Sequence, residues 1–225
     1  MPAMPARNQW IEISDAAWQA LAAVAPDAQA HDIVAHWQAR RLPLVVCTQP
    51  PGLRCGRLAV GLPAPLRWSR RRLALEVSRD QVLQQGEFPP LAAVLHDAAS
   101  QALHHALAAV GAGARVYGSY GWQALTGESY VHAASDIDLQ IQVPGFEAAR
   151  QALPLLQQAR LPGRLDGEFA FPEGSAIAWR EFGHLLQAEQ PAPQGLVNTQ
   201  VLVKSLGAPR LMPAAWVRQL GLAAA

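Results

Sequence analysis

Residues 117–143 have the sequence YGSYGWQALTGESYVHAASDIDLQIQV. The last eight of them, DIDLQIQV at 136–143, alternate polar and apolar side chains with the period of two that is typical of a β-strand. Residues two positions apart on a strand lie on the same face, so Asp136 and Asp138 point to one side and the apolar residues point to the other. The segment therefore predicts a half-buried strand that displays two carboxylates together.

Two carboxylates at this spacing repel each other. At a separation of ~5 Å and an effective dielectric constant of ~20 the repulsion is roughly 3 kcal/mol. A hard divalent cation removes it, because Mg²⁺ prefers a few carboxylate oxygens together with substrate phosphates and water. We therefore predict that Asp136 and Asp138 bind metal, with Mg²⁺ and Mn²⁺ both open. The alternative for this pair alone is a strand end that carries two solvated acids.

A Gly-Ser pair precedes these carboxylates. Residues 115–117, Arg-Val-Tyr, predict a short strand that leads into Gly118 and Ser119, and a helical segment follows. Glycine at such a corner permits close approach of the backbone, and the first turn of a helix offers free N–H groups to a phosphate. The combination resembles the nucleotidyltransferase superfamily, in which the Gly-Ser pair holds a triphosphate and two aspartates hold metal. Sixteen residues separate Ser119 from Asp136, slightly more than that superfamily usually has.

A second acidic pair lies further along the chain. Residues 164–171 alternate in polarity, which predicts a strand with Asp166 and Glu168 on one face. Two-metal phosphoryl chemistry needs a third carboxylate to bind the metal that activates the attacking hydroxyl and to accept its proton. Asp166 is preferred because its side chain has the same reach as the first two aspartates, and Glu168 is the alternative. An exposed acidic hairpin without a function is also possible.

The order of predicted elements gives the fold class. The stretch 90–110 predicts one long helix, 146–160 predicts another that is interrupted or bent near Pro154, and strands are expected between and after them. We predict an α+β protein, with a small arginine-rich α+β domain at residues 1–85. Residues 86–225 are expected to form a nucleotidyltransferase-like mixed sheet flanked by helices.

Composition restricts the class of protein. The chain has 225 residues, of which 51% are hydrophobic and 16% charged, as in globular proteins. Its two cysteines, Cys47 and Cys55, have no flanking histidines, so neither a zinc site nor a disulfide framework is expected. The sequence contains no apolar run of membrane-spanning length and no signal-peptide core. We therefore expect a cytoplasmic protein with no membrane partner.

Positive charge is concentrated in one part of the chain. Residues 40–79, here called the arginine block, contain nine arginines and one acid, Glu76. Such a block suits a polyanionic partner, although a solvated basic surface is an equally good interpretation for any single arginine. Arg70, Arg71 and Arg72 are the candidates for contact. No nucleic acid is expected, because the block has no aromatic stacking pattern beyond Trp68.

Four motifs together resemble one particular family: GSYGWQALTG at 118–127, SDIDL at 135–139, RLDGE at 164–168 and AWRE at 178–181. They are similar to the phosphoribosyl-dephospho-CoA transferase of the malonate decarboxylase system, also called malonate decarboxylase holo-acyl-carrier-protein synthase. LPLVV at 42–46 and LAVGLP at 58–63 resemble the N-terminal domain of that family. The resemblance covers nearly the whole chain, but only the four central motifs are specific.

The resemblance implies a transfer reaction. In that family the 2′-(5″-phosphoribosyl)-3′-dephospho-CoA group moves from 2′-(5″-triphosphoribosyl)-3′-dephospho-CoA to a serine of the acyl-carrier-protein subunit, and pyrophosphate is released. Asp136 and Asp138 would then hold the metal that bridges the triphosphate, and the carrier serine would lose its proton near Asp166. Ser119 and the backbone amides at Gly118 would hold the leaving pyrophosphate.

The sequence is consistent with several alternatives. The arginine block can dock an acidic carrier protein, or it can hold the polyphosphate or dephospho-CoA of the donor. The chain can also be another metal-dependent nucleotidyltransferase that modifies a small hydroxyl compound or a protein. A third hypothesis is a non-catalytic module that only binds a carrier protein, although such a module has no reason to keep three acids in register.

Overall fold

A computed structural model describes residues 4–188 and 199–221 of the chain. Helices and sheets are both present, so the predicted α+β class is confirmed. The chain divides into two compact units. The first comprises the described residues of Met1–Phe88, Trp122–Val131 and Leu206–Ala208, and the second those of Pro89–Gly121, His132–Ser205 and Pro209–Ala225. The boundary at residue 85 and the nucleotidyltransferase-like architecture stay predictions.

The first unit is an antiparallel sheet with two helices. Its strands are β1 (Trp10–Ile13), β2 (Leu44–Val46), β3 (Arg57–Pro63), β4 (Arg72–Ser78) and β5 (Val82–Gly86), in the order β4-β3-β2-β1-β5. Helices α1 (Asp15–Ala23) and α2 (Ala28–Arg40) begin at Ser14 and Asp27, whose side chains accept hydrogen bonds from backbone amides of the first turn. Trp18 and Trp37 on these helices are buried in the core of the unit.

The second unit is built on a four-stranded mixed sheet. Its strands are β6 (Gly113–Tyr117), β7 (Ile137–Gln142), β8 (Leu165–Ala170) and β9 (Ala176–Ala178), in the order β6-β7-β8-β9. Strands β7 and β8 are parallel, and the other two pairs are antiparallel. The further helices are α3 (Leu91–Val94), α4 (Ala98–Ala109), α5 (Gly118–Thr126), α6 (Phe146–Gln158), α7 (Trp179–Ala188) and α8 (Ala214–Val217). Strands β10 (Gln200–Val203) and β11 (Arg210–Pro213) form a separate antiparallel pair.

The alternating pattern of β7 has the expected consequence. Ile137, Leu139 and Ile141 are fully buried, whereas the polar residues between them are partly exposed. Because β7 and β8 are parallel, α6 crosses back between them, and it includes Pro154 without interruption. The polar face of β7 is therefore the face on which the predicted site lies.

The prediction of one helix over 90–110 is wrong. The structure has α3 and α4 with a break at Leu95–Asp97. The carboxylate of Asp97 accepts hydrogen bonds from both the amide and the hydroxyl group of Ser100, at 3.0 and 2.6 Å. This is an N-cap, which starts a new helix instead of continuing the old one.

None of the helices in the described residues is both long enough and apolar enough to cross a membrane.

Candidate active site

Three of the predicted site residues, Gly118, Asp138 and Asp166, lie where β6 ends and β7 and β8 begin. Tyr117 at the end of β6 pairs with Asp138 on β7, and Asp138 pairs with Asp166 on β8. Paired residues on neighbouring parallel strands lie on the same face, with the strands ~4.8 Å apart. The two carboxylates therefore extend from adjacent positions on one face of the sheet. Asp136 lies just before the first residue of β7.

The Gly118 corner is in contact with Asp138. Gly118 has a positive φ of 61°, a conformation that glycine adopts readily and other residues rarely. A Cβ atom at this position would lie 1.9 Å from Oδ2 of Asp138, which is far inside van der Waals contact. Only glycine therefore allows the start of α5 and the Asp138 carboxylate to approach this closely. Ser119 is the next residue of the helix.

Asp136 is held by an arginine that the sequence analysis did not assign to the site. The guanidinium of Arg164 donates from Nε to Oδ1 of Asp136 at 2.7 Å and from a second nitrogen to Oδ2. These hydrogen bonds hold the pKa of Asp136 below its usual value. Asp136 in turn raises the pKa of Arg164, and the charges of Asp166 and Asp138 contribute in the same direction. Arg164 thus lies within the field of all three carboxylates.

A second arginine lies beside Asp166. Nε of Arg180 is 3.9 Å from Oδ1 of Asp166, and another nitrogen of the same group donates to the carbonyl oxygen of Leu165 at 2.5 Å. The guanidinium carbon lies 4.2 Å from the ring centroid of Trp179. Asp166 also accepts a hydrogen bond from the amide of Gly167 at 2.8 Å. These contacts fix the orientation of the Asp166 carboxylate.

Glu168, the alternative third carboxylate, has different surroundings. Its side chain is only 2% exposed, and Oε2 lies 3.4 Å from Nζ of Lys204, the only lysine of the chain. Asp166 has a side chain that is 43% exposed. The geometry favours Asp166 as the acid that a substrate can reach and Glu168 as a buried carboxylate paired with a partly exposed lysine. The choice between them stays a prediction.

The donor set is suited to a divalent cation without forming a complete protein cage. Within residues 4–188 and 199–221, no group of three or more His, Cys, Asp or Glu side chains is arranged to hold a metal ion. Asp138 and Asp166 offer hard oxygen donors at the same register, while Asp136 faces Arg164. Mg²⁺ is commonly bound by one or two carboxylates together with substrate phosphates, so two adjacent aspartates fit such an ion.

The arginine block is more neutral in the structure than in the sequence. Arg71 forms two hydrogen bonds to the carboxylate of Asp27, at 2.7 and 2.5 Å, and this lowers the pKa of Asp27 to about 2. Arg40 and Arg67 both contact Glu128, which also accepts a hydrogen bond from His36. Arg70 and Arg72 are exposed.

Arg164 and Arg180 were not assigned a role from the sequence. Both belong to motifs that carried the family resemblance, RLDGE and AWRE, so the signal was present. A single arginine beside an acid in sequence does not reveal which carboxylate it pairs with. Arg164 contacts Asp136, 28 positions away, and that pairing depends on the parallel register of β7 and β8.

Comparison with known families gives two matches that together cover most of the chain. Residues 83–215 match the family described as phosphoribosyl-dephospho-CoA transferase MdcG C-terminal domain, and residues 6–88 match the corresponding N-terminal domain. The match to the C-terminal domain includes Asp136, Asp138, Asp166 and Glu168.

Curated relatives have the same description. A protein of Xanthomonas euvesicatoria pv. vesicatoria (strain 85-10), named phosphoribosyl-dephospho-CoA transferase, is 36% identical over 223 residues, with 92% of each chain covered. A protein of the same name from Bradyrhizobium diazoefficiens is 31% identical over 194 residues, which is 79% of this chain and 81% of the relative. No solved structure matches the chain.

The ion pair of Glu168 and Lys204 predicts a measurable loss of stability. In Lys204→Met the buried carboxylate loses its ammonium partner, so we expect the free energy of unfolding to fall by about 2 kcal/mol. Urea denaturation followed by circular dichroism measures this change. The control is Arg150→Met, which removes the exposed partner of Glu147 and should have no measurable effect. Equal stability of the two variants would contradict a structural role for Glu168.

Proposed function

The chain belongs to the phosphoribosyl-dephospho-CoA transferase family, a family of transferases, and from this premise we propose its reaction. It transfers the 2′-(5″-phosphoribosyl)-3′-dephospho-CoA group to a serine of the acyl-carrier-protein subunit of malonate decarboxylase. The donor is 2′-(5″-triphosphoribosyl)-3′-dephospho-CoA, and the leaving group is pyrophosphate. The names of the curated relatives support a dephospho-CoA substrate, and the geometry at the strand ends supports phosphoryl chemistry.

One observation carries the proposal: Gly118 is in contact with Asp138. The start of α5 offers backbone N–H groups that suit phosphate oxygens, and Asp138 offers an oxygen ligand that suits a cation. The absence of a side chain at Gly118 brings these two groups together. A triphosphate bound at the corner would therefore have its cation site directly beside it. A module that only docked a carrier protein would not need this contact.

We propose that Asp136 and Asp138 hold Mg²⁺, with Asp166 as the third ligand. We also propose that the ion pair between Arg164 and Asp136 breaks when Asp136 binds the ion. The ion, when bound, supplies positive charge to the phosphate oxygens and to the attacking oxygen. Arg164 gives the same carboxylate a counter-charge when no ion is bound. Either partner relieves the repulsion among the aspartates.

The remaining steps belong to side chains and backbone amides of this chain. The hydroxyl oxygen of the carrier serine attacks the α-phosphorus of the donor, and its proton passes to Asp166, which Arg180 and the Gly167 amide orient. The bond between the α-phosphorus and the bridging oxygen breaks as the new P–O bond forms. Ser119 and the amides that follow Gly118 bind the pyrophosphate that leaves.

The arginine block supplies a surface for the carrier protein. Carrier proteins are typically acidic, and Arg70 and Arg72 are exposed. Arg71 is engaged with Asp27 at the start of α2, so its first role is to hold the helix. We assign docking to Arg70 and Arg72 because both side chains are exposed.

Transfer predicts a defined gain in mass. After incubation with this protein, Mg²⁺ and the triphosphoribosyl donor, intact mass spectrometry should show the carrier subunit heavier by one phosphoribosyl-dephospho-CoA group. Asp138→Asn should reduce the rate at least 1,000-fold, since a carboxylate ligand is lost, while Asp32→Asn on the exposed side of α2 leaves it unchanged. With ATP in place of the donor, a carrier heavier by one adenylyl group would indicate a different nucleotidyltransferase. Activity of Asp138→Asn within tenfold of the unsubstituted protein would contradict the metal assignment.

Charge reversal separates docking from donor binding. In the double variant Arg70→Glu and Arg72→Glu, we expect the KM for the carrier to rise several-fold and its dependence on salt to become weaker. Exposed charges act mainly on encounter and are screened beyond ~8 Å at physiological ionic strength, so the KM for the donor should stay the same. Arg210→Glu, an exposed arginine of β11, is the matched control. A rise in the donor KM alone would assign the two arginines to the donor instead.

A further inference from the structure

A groove beside the carboxylates has no role in the reaction described so far. It has a volume of about 290 Å³, and its walls include Arg160, Arg164, Arg180, Trp179 and Leu161. We propose that this arginine groove binds the dephospho-CoA portion of the donor through its diphosphate. The inference rests on the proposed function, because that function supplies the donor. It adds a binding site for the part of the donor that does not react.

The groove contains three arginines, and guanidinium groups bind phosphate oxygens through paired hydrogen bonds. Arg164 is paired with Asp136 and Arg180 lies 3.9 Å from Asp166, so the charge of Arg160 is the one that these acids do not offset. Arg160 donates to the carbonyl oxygens of Gln157, Gln158 and Ala159 at 3.4, 3.1 and 3.2 Å. These partners carry no negative charge, so Arg160 contributes a full positive charge to the groove. Arg180 is fixed by its contacts with Trp179 and Leu165, which lowers the entropy lost when it binds an anion.

The position of the groove relative to Gly118 also supports the proposal. The groove lies at the start of β8 and just after β9, whereas Gly118 lies at the end of β6. In the sheet order β6-β7-β8-β9 these places are on opposite sides of β7, the strand of Asp138. Two to three strand spacings of ~4.8 Å separate them by about 10 to 14 Å. The reactive phosphorus of the donor lies between its pyrophosphate and its ribosyl-dephospho-CoA part. If the Gly118 corner takes the first part, the groove is the site for the second.

The volume of the groove suits a part of the donor. At about 290 Å³ the groove is near the lower end of the ~300–1,000 Å³ that is typical of small-molecule sites. It can hold one part of the donor and not the whole molecule. Apolar wall residues such as Leu161 and Leu165 suit the uncharged parts next to the diphosphate.

Two probes test the groove separately from the Gly118 corner. Dephospho-CoA lacks the triphosphoribosyl group and probes the groove, and inorganic tripolyphosphate with Mg²⁺ probes the corner. Isothermal titration calorimetry measures both with the unsubstituted protein and with Arg160→Gln and Arg180→Gln. We expect the Kd for dephospho-CoA to rise roughly tenfold or more in each variant, as for the loss of one charge-assisted hydrogen bond. The Kd for tripolyphosphate should stay the same in Arg160→Gln, because Arg160 contacts none of the three aspartates.

The matched control is Arg150→Gln on α6, the helix that ends shortly before Arg160, where Arg150 pairs with Glu147 instead of lining the groove. It should bind dephospho-CoA like the unsubstituted protein. Glutamine at 160 can still donate a hydrogen bond to the carbonyl oxygens at the end of α6, so this variant keeps the proposal testable if Arg180→Gln fails to fold. An unchanged Kd for dephospho-CoA in Arg160→Gln, or an equal rise in Arg150→Gln, would overturn the assignment.

The outcomes for the groove and for the proposed reaction can be told apart. Tight dephospho-CoA binding that depends on Arg160, without any mass gain of the carrier, would reject the reaction and keep the groove. Full transfer activity, together with a Kd for dephospho-CoA that is the same in Arg160→Gln, Arg180→Gln and the unsubstituted protein, would reject the groove and keep the reaction. If the two variants raised only the KM for the carrier, the groove would contact the acidic carrier protein and the proposal would be wrong.

Discussion

Repulsion among carboxylates is the constraint on which the site of this protein depends. Asp138 and Asp166 are paired at the adjoining ends of two parallel strands, and Asp136 lies just before the first of these strands. Two carboxylates ~5 Å apart repel by roughly 3 kcal/mol at an effective dielectric constant of ~20. In the structure Arg164 and Arg180 provide the opposite charge. A polyphosphate with its cation carries both signs of charge, and this edge of the sheet provides partners for both.

The part of the fold that positions this edge could be predicted from local pattern. Alternation over 136–143 predicted β7, which the structure places at Ile137–Gln142, because the period of two directly reflects burial on one face. The stretch 90–110 was predicted less well. Most of its residues favour a helix, but the side chain of Asp97 caps a new helix at that point. Helix propensity alone does not tell whether such a residue continues one helix or starts another. Local rules succeed where one face is buried and fail where one side chain has two possible partners.

The same limit applies to the candidate site. The acids were predicted from their spacing and the Gly118 corner from its residue types, and the structure places Gly118 and Asp166 beside Asp138. The partners of the charged groups were not found, because they come from distant parts of the sequence. Arg71 was counted as free positive charge, yet Asp27 neutralises it from outside the block. Arg164 was read only as part of a motif, yet it holds Asp136. Such pairings depend on tertiary structure. The net charge counted over a stretch of sequence is therefore larger than the net charge that the folded surface presents to a partner.

The most direct test of this account is whether a divalent cation and a polyphosphate bind together beside Gly118. Equilibrium dialysis of Mn²⁺ can measure this, with inorganic tripolyphosphate either absent from or present in both chambers. The account predicts an excess of Mn²⁺ on the protein side that increases when tripolyphosphate is present and is lost in Asp138→Asn. Equal Mn²⁺ excess for Asp138→Asn and the unsubstituted protein, or an excess that ignores tripolyphosphate, would contradict it.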